Sequence, residues 1–304
     1  MRIAVSGSTG FIGTALLERL RADGHGVVRL VRADRAATGP GDVSWDPKAG
    51  RLDPGDLDGV DAIVNLAGAG IGDHRWTDEY KRTVMQSRTR ATNLLAEAIA
   101  ARDGGPRTLL SGSAIGFYGD RGDEELDESS PAGTGFLAEV ARAWEASTAA
   151  AEAAGARVVH LRTGIVLAPH GGALSRMLPL FKLGVGGRFG GGRQWMSWIT
   201  LADHVAATVH LLTSELTGPV NLTAPAPVRN AEFAKTLAAA VHRPAVVPVP
   251  SFGPKLLLGS ELADNLLFAG QRVSPTVLQT AGYEFRHPTL EVALRAVLGK
   301  PAAA

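Results

Sequence analysis

The sequence predicts an α/β protein built on a doubly wound parallel sheet, with a smaller C-terminal subdomain. Three observations carry that expectation. Apolar runs of strand length alternate with helical patterns through the first half of the chain. The runs are apolar throughout, as in strands covered by helices on both faces. The first of them, Ile3-Ala4-Val5, passes directly into Gly7-Ser8-Thr9-Gly10-Phe11-Ile12-Gly13, a glycine-rich turn that opens a helix from Phe11 to about Arg21.

The remaining elements follow in order. Val27-Val28-Arg29-Leu30-Val31 reads as a second strand. Asp61-Ala62-Ile63-Val64-Asn65-Leu66 reads as another, ending at Ala67-Gly68. A long helix is predicted from about Asp78 to Ala101, with Leu94, Leu95, Ala98 and Ile99 at helical spacing. Thr108-Leu109-Leu110 enters a strand that ends at Ser111-Gly112-Ser113, and a second long helix is expected from about Gly135 to Ala154. Arg157–Arg162 is again a strand. Residues 168–195 then change character, with dense glycine around one apolar helix from about Leu174 to Leu183. Such a stretch is a flexible loop or an excursion over a pocket, since ligands of open α/β sheets lie beyond the carboxyl ends of the strands. Four prolines between Pro244 and Pro254 suggest a rigid connector before a helical tail.

Composition narrows the function. The chain has 304 residues, 45% hydrophobic and 20% charged, enough for a substantial core. Its 31 basic and 30 acidic residues leave a net charge of +1, which gives no electrostatic case for nucleic acid or an anionic membrane. Cysteine is absent, which excludes disulfides, thiolate catalysis and Cys-ligated zinc and agrees with a reducing cytoplasm. No run approaches ~18 uninterrupted apolar residues, so no transmembrane helix is expected. The expected partner is a small molecule, with neither nucleic acid nor membrane nor metal, and the chain is expected to be a monomer or homodimer in the cytoplasm.

The glycine turn carries the chemistry. A helix N-terminus offers unpaired N–H groups and a partial positive charge, which suit a phosphate. Gly7 permits the turn, Gly10 lets a pyrophosphate approach the backbone, and Gly13 lets helix and strand pack closely. The alternative is an ordinary tight βα turn. A carboxylate at the end of the second strand would select NAD, but Arg32 stands there. An arginine fork suits a ribose 2′-phosphate, so NADP(H) is the expected cofactor, unless Arg32 is a solvated surface residue.

The G-x-x-G-x-x-G spacing, with Ser-Thr inside it and Phe-Ile-Gly after, resembles the extended short-chain dehydrogenase/reductase superfamily, which includes nucleotide-sugar epimerases and dehydratases. Asn65-Leu66-Ala67-Gly68 resembles the superfamily segment that lies along the cofactor, or is a plain strand-terminal turn. The resemblance implies a Rossmann-type fold and cofactor contacts from Gly7, Ser8, Thr9, Gly10, Phe11, Ile12, Gly13, Leu66, Ala67, Gly68 and Val166. Arg88 would either reach the cofactor phosphates or cap a surface. Residues 1–167 with a return segment 196–224 would form the cofactor domain, and 168–195 with 225–304 the substrate side.

The superfamily's catalytic set is a Ser or Thr, a Tyr, and a Lys four residues after the Tyr. Ser113 fits the first. Where Tyr and Lys belong, the chain reads Gly135-Phe136-Leu137-Ala138-Glu139-Val140, and its tyrosines are only Tyr80, Tyr118 and Tyr283. That departure, with Trp45-Asp46-Pro47, Arg75-Trp76-Thr77, Ser87-Arg88 and Gln194-Trp195-Met196-Ser197-Trp198, resembles the YfcH-type "epimerase family" proteins. Tyr118, in the loop after the Ser113 strand, is the leading candidate proton donor or else a packed loop residue. Gln194, Trp195 and Trp198 are candidate substrate contacts or core anchors. Two functions are therefore expected to compete. One is an NADP(H)-dependent oxidoreductase or isomerase acting on a small polar substrate such as a nucleotide sugar. The other is a non-catalytic NADP(H) sensor.

Overall fold

The computed structural model describes residues 1–34, 39, 41–101, 105–244 and 248–299. Residues 245–247 of the proline-rich connector lie outside them. The chain opens with β1 (Arg2–Ser6), α1 (Phe11–Ala22), β2 (Gly26–Arg32), β3 (Val43–Trp45), β4 (Ala62–Asn65) and α2 (Asp78–Ala100). It continues through β5 (Thr108–Ala114), β6 (Glu125–Leu126), α3 (Phe136–Ala146), α4 (Ala149–Ala153), β7 (Arg157–Thr163) and β8 (Ile165–Leu167). Next come α5 (Gly172–Lys182), β9 (Trp195–Met196), β10 (Trp198–Thr200), α6 (Leu201–Thr213), β11 (Gly218–Leu222), β12 (Val228–Arg229) and α7 (Asn230–Ala240). The tail holds α8 (Phe252–Leu258), α9 (Ser260–Ala263), β13 (Arg272–Val273), α10 (Thr276–Thr280) and α11 (Leu290–Val297).

Seven strands form one parallel sheet in the order β11-β7-β5-β4-β1-β2-β3. The doubly wound sheet expected from the alternating pattern is what the structure shows. Leu16, Leu17 and Leu20 of α1 and Val205, Leu211 and Leu212 of α6 cover one face of it. Ala91, Leu95 and Ile99 of α2 cover the other with Ala151 of α4. A separate apolar cluster unites Leu174 and Phe181 of α5, Phe233 and Leu237 of α7, and Leu290 and Leu294 of α11.

Two elements differ from the sequence expectation. The single helix expected to Ala154 is interrupted at Ser147 and Thr148. Ser147 Oγ donates to Ala143 O at 2.7 Å and Thr148 Oγ1 to Glu145 O at 2.7 Å, so the hydroxyls take carbonyls from the helical ladder. The short strand β3 at the sheet edge was not expected.

Asp203 lies in the first turn of α6, whose N-cap is Thr200: Asp203 N donates to Thr200 Oγ1 at 3.1 Å. The neighbouring His204 is 0% exposed, its Nδ1 has no partner among the described residues, and burial pushes its pKa from 6.5 down to about 4. The unfolded chain therefore binds this proton near its ordinary pKa, while the folded chain resists it until about pH 4. Stability contributed by neutral His204 is complete above the unfolded pKa and falls as pH drops between the two values, by up to about 3 kcal/mol. Urea unfolding at about pH 7 and about pH 5 is expected to show a smaller loss for His204→Asn than for the original chain. Equal losses contradict the assignment.

Candidate cofactor site

The strand order reverses at β1, which has β2 on one side and β4 on the other. Ligands of doubly wound sheets bind at such a switch point, beyond the carboxyl ends of the strands. The turn after β1 is shaped for this. Gly7 has φ of +65°, and a Cβ on it would stand 2.6 Å from Leu66 O. A Cβ on Gly13 would stand 2.2 Å from Gly7 O, so α1 and the turn touch backbone to backbone. Gly10 is different. It is the N-cap of α1, makes no side-chain cap, and a Cβ on it would meet one atom within 4 Å, Gly7 O at 3.1 Å. The first turn of α1 holds no acidic residue. Its N–H groups and the positive end of its dipole are thus left for an anion. Ser8 is buried at the turn, Thr9 and Gly10 are exposed, and Phe11 and Ile12 are half-buried. The Phe11 ring fills the space where Gly171 would carry a Cβ, 2.5 Å from its Cδ2.

The other wall is the segment after β4. Ser6 Oγ donates to Asn65 Oδ1 at 2.6 Å, and Asn65 Nδ2 donates to Thr92 Oγ1 at 2.8 Å. Trp144 Nε1 donates to the same Thr92 oxygen at 3.0 Å. Leu66 N donates to Ser6 Oγ at 3.2 Å and Ala67 N to Asn65 Oδ1 at 3.3 Å. The following loop rests on Arg88, which is 7% exposed. Its Nη1 donates to Ala69 O at 2.9 Å and Val84 O at 3.1 Å, and a Cβ on Gly68 would stand 3.1 Å from its Cζ. Its Nε has no partner among the described residues, and burial lowers its pKa to about 10. A buried guanidinium without a carboxylate among the described residues is an anomaly unless something else supplies charge. These features fit an anionic dinucleotide. Arg32 ends β2, two residues beyond Leu30, the partner of Ser6. Its side chain is 52% exposed and its Nε lies 3.4 Å from Asp34 Oδ1.

At the carboxyl ends of β5, β7 and β11 the structure holds a buried polar network. Ser113 Oγ donates to Glu145 Oε1 at 2.6 Å. Arg162 grips the same carboxylate with two bonds, Nε to Oε1 at 2.8 Å and Nη2 to Oε2 at 2.9 Å. Arg162 Nη1 also donates to Tyr118 OH at 3.0 Å, and Tyr118 OH donates to Asn221 Oδ1 at 2.7 Å. Tyr118 is 0% exposed, and burial raises its pKa to about 12 against the opposing pull of Arg162. The phenol expected as a proton donor is therefore committed to the core, on both its donor and acceptor sides. Tyr118→Phe is expected to cost about 1–3 kcal/mol in urea unfolding, since it orphans a buried donor and acceptor, and to leave nucleotide affinity unchanged. A loss of turnover without a loss of stability would instead restore Tyr118 as the acid.

At the place expected for the tyrosine, Phe136 begins α3, and Val140 is buried. The Phe136 ring meets Trp76 edge-on, with centroids 4.9 Å apart, and Lys81 Nζ lies 5.5 Å from its centroid. Lys81 is bound to Glu261 at 2.8 and 3.0 Å, and that hydrogen bond raises its pKa above the ordinary lysine value. Sequence reasoning did not single out Lys81 or Glu261 as a pair, because 180 residues separate them.

The expected substrate contacts divide. Trp198 is 0% exposed, belongs to the cluster of α5, α7 and α11, and donates from Nε1 to Ala226 O at 3.1 Å. It is a core anchor, not a pocket residue, because its whole ring is packed. Trp195 is half-buried, with the guanidinium carbons of Arg229 and Arg272 4.2 Å and 5.0 Å from its ring centroid. Gln194 donates from Nε2 to Leu267 O at 2.6 Å. Val166 is buried in β8, paired with Ile199 of β10.

The family model described as "NAD dependent epimerase/dehydratase family" matches residues 3–222. The chain belongs to that family. A model described as "Domain of unknown function (DUF1731)" matches residues 249–297 of this epimerase-family protein. The epimerase family protein MT2273 of Mycobacterium tuberculosis is 46% identical, with 98% of each chain covered. The crystal structure of human epimerase family protein SDR39U1 with NADPH has 34% identity and a TM-score of 0.89, covering 98% of this chain and 99% of that one. A structure described as the nucleoside-diphosphate sugar epimerase from Corynebacterium glutamicum has 37% identity and a TM-score of 0.81, covering 98% of this chain and 58% of that one. Among the described residues of the epimerase-family protein, no helix is long and apolar enough to cross a membrane.

Proposed function

We propose that this epimerase-family protein binds NADP(H) across the Gly7–Gly13 turn and the Leu66–Gly68 segment, and acts there on a small polar substrate of the nucleotide-sugar class. The observation that carries the reading is the uncapped N-terminus of α1, with Gly10 open toward solvent at the switch point of the sheet. The human relative crystallised with NADPH and the relative described as a nucleoside-diphosphate sugar epimerase support it. In this reading the turn holds the pyrophosphate, Arg32 meets the 2′-phosphate, and Arg88 supplies positive charge beneath the loop. The bound cofactor would supply hydride chemistry. Residues 168–195 and 225–304 would form the substrate side, with Gln194 and Trp195 placed there. The absence of cysteine agrees with action in a reducing, cytoplasmic setting.

The proton chemistry has to differ from that of a Tyr–Lys pair. Phe136 has no proton to give, and Ser113 already donates to Glu145. Lys81 Nζ is the cation held over the Phe136 ring. We infer that it exchanges part of its contact with Glu261 for a substrate oxygen and stabilises negative charge there, a task that needs no titration. The second reading, a cofactor-binding sensor without turnover, rests on the same Phe136 and Val140. Stopped-flow absorbance of the NADPH-loaded protein against carbonyl compounds and nucleotide sugars separates the two. Oxidation of NADPH or sugar interconversion that falls with Lys81→Met supports the enzyme. No reaction across the panel, with partners that differ between NADP⁺ and NADPH pull-downs, supports the sensor.

A further inference from the structure

Two clefts adjoin on the side of the molecule formed by α1, α5, α6 and α11. One measures about 520 Å³ and the other about 580 Å³, and both are lined by Pro169 and Val297. Volumes of about 300–1,000 Å³ are those of small-molecule sites. None of the residues assigned above to the cofactor lines either cleft.

The charge of this groove is one-sided. Arg286 and His287 line the first cleft, and His170 and Lys182 the second, while no Asp or Glu lines either. Arg19 also reaches the first cleft, but Asp23 binds it at 2.7 Å. Among the described residues, the Arg286 guanidinium, the Lys182 ammonium and the His170 ring have no hydrogen-bond or ion-pair partner. His287 is held in place. Asp203, 1% exposed, accepts from His287 Nδ1 at 2.9 Å and from the backbone N of Arg286 at 2.9 Å and of His287 at 3.1 Å. A carboxylate only accepts, so Nδ1 carries a proton and Nε2 is left without a partner among the described residues. Between these basic groups the wall is mostly apolar, with Leu167, Val205 and Val297 in one cleft and Leu178 and Leu298 in the other, beside the hydroxyls of Thr200 and Ser175. In a chain whose net charge is only +1, a groove with unpaired cations and no carboxylate is a local design, not a general surplus.

We propose that this groove is a second ligand site for an amphipathic organic anion, with a carboxylate head on the basic rim and an aliphatic body along the apolar wall. Calorimetric titration with decanoate below its micelle concentration tests it. The expected result is saturable binding near one per chain, with a Kd of about 10 μM. Arg286→Ala with Lys182→Ala, both exposed side chains, is expected to weaken it at least about tenfold while NADPH affinity and thermal unfolding stay unchanged. Decanol, with the same body and no charge, and inorganic phosphate, with charge and no body, are each expected to bind at least about tenfold more weakly than decanoate. No saturable decanoate binding, an unchanged affinity in the double variant, or decanol or inorganic phosphate binding as tightly as decanoate overturns the proposal. None of these outcomes bears on the dinucleotide cleft, which the NADPH titration reports separately.

Discussion

Gly10→Val is expected to weaken NADPH binding by at least about 100-fold while moving the thermal midpoint by no more than about 5 °C. The backbone at Gly10, φ −79° and ψ 171°, is one that any L-residue adopts. Its side of the turn is open apart from Gly7 O, 3.1 Å from where a Cβ would stand, so a shift of a few tenths of an ångström in that carbonyl admits a side chain. A bound pyrophosphate does not, because the added methyl groups occupy the approach to the first-turn N–H groups. Gly13→Val provides the contrast. There the new Cβ meets Gly7 O at 2.2 Å, and nothing but backbone can yield. That variant is expected to lose the fold as well as the ligand. Fluorescence titration with NADPH and a melting curve on each variant check both statements. Tight NADPH binding by Gly10→Val would remove the phosphate from this turn.

Glu145→Ala is expected to cost about 3–5 kcal/mol, a large part of the about 5–15 kcal/mol that a domain has in all. Arg162 and Glu145 side chains are 5% and 11% exposed, so the pair is desolvated. Removing the carboxylate leaves a buried guanidinium whose remaining hydrogen-bond acceptors among the described residues are Tyr118 OH and Glu128 O, with the Phe117 ring centroid 3.5 Å from its Cζ. It also frees Ser113 Oγ from its acceptor. Replacing both partners, as in Glu145→Met with Arg162→Met, is expected to recover much of the loss, because no charge is then left unpaired. Urea unfolding of the single and double variants measures the coupling. A cost below about 1 kcal/mol for Glu145→Ala would show the network to be incidental.

The sheet was legible because buried parallel strands are continuous apolar runs, and the phosphate turn because three glycines answer to backbone contacts of fixed spacing. The expected strand Val27–Val31 lies within β2, and the expected helix Asp78–Ala101 differs from α2 by one residue. The break at Ser147–Thr148 was hidden, since it comes from hydroxyls bonding to carbonyls, which periodicity does not encode. Tyr118 illustrates a deeper gap. Its loop position placed it near the reacting end of the cleft, but exposure is decided by Asn221 and Arg162, about 103 and 44 residues away in sequence. The same holds for Lys81 and Glu261, which fall together only when α9 folds against α2. Trp198 was ambiguous for a plain reason: a buried anchor and a stacking surface need the same ring.

Competition between nucleotides at one site tests the assignment most directly. NADPH and NADH are titrated separately into the protein, with Arg32→Ala alongside. NADPH is expected to bind at least about tenfold more tightly than NADH, and Arg32→Ala to erase most of that preference while leaving NADH affinity unchanged. Equal affinities, or tighter binding of NADH, would contradict an NADP(H) site, and no saturable binding of either nucleotide would contradict a cofactor at the Gly7–Gly13 turn.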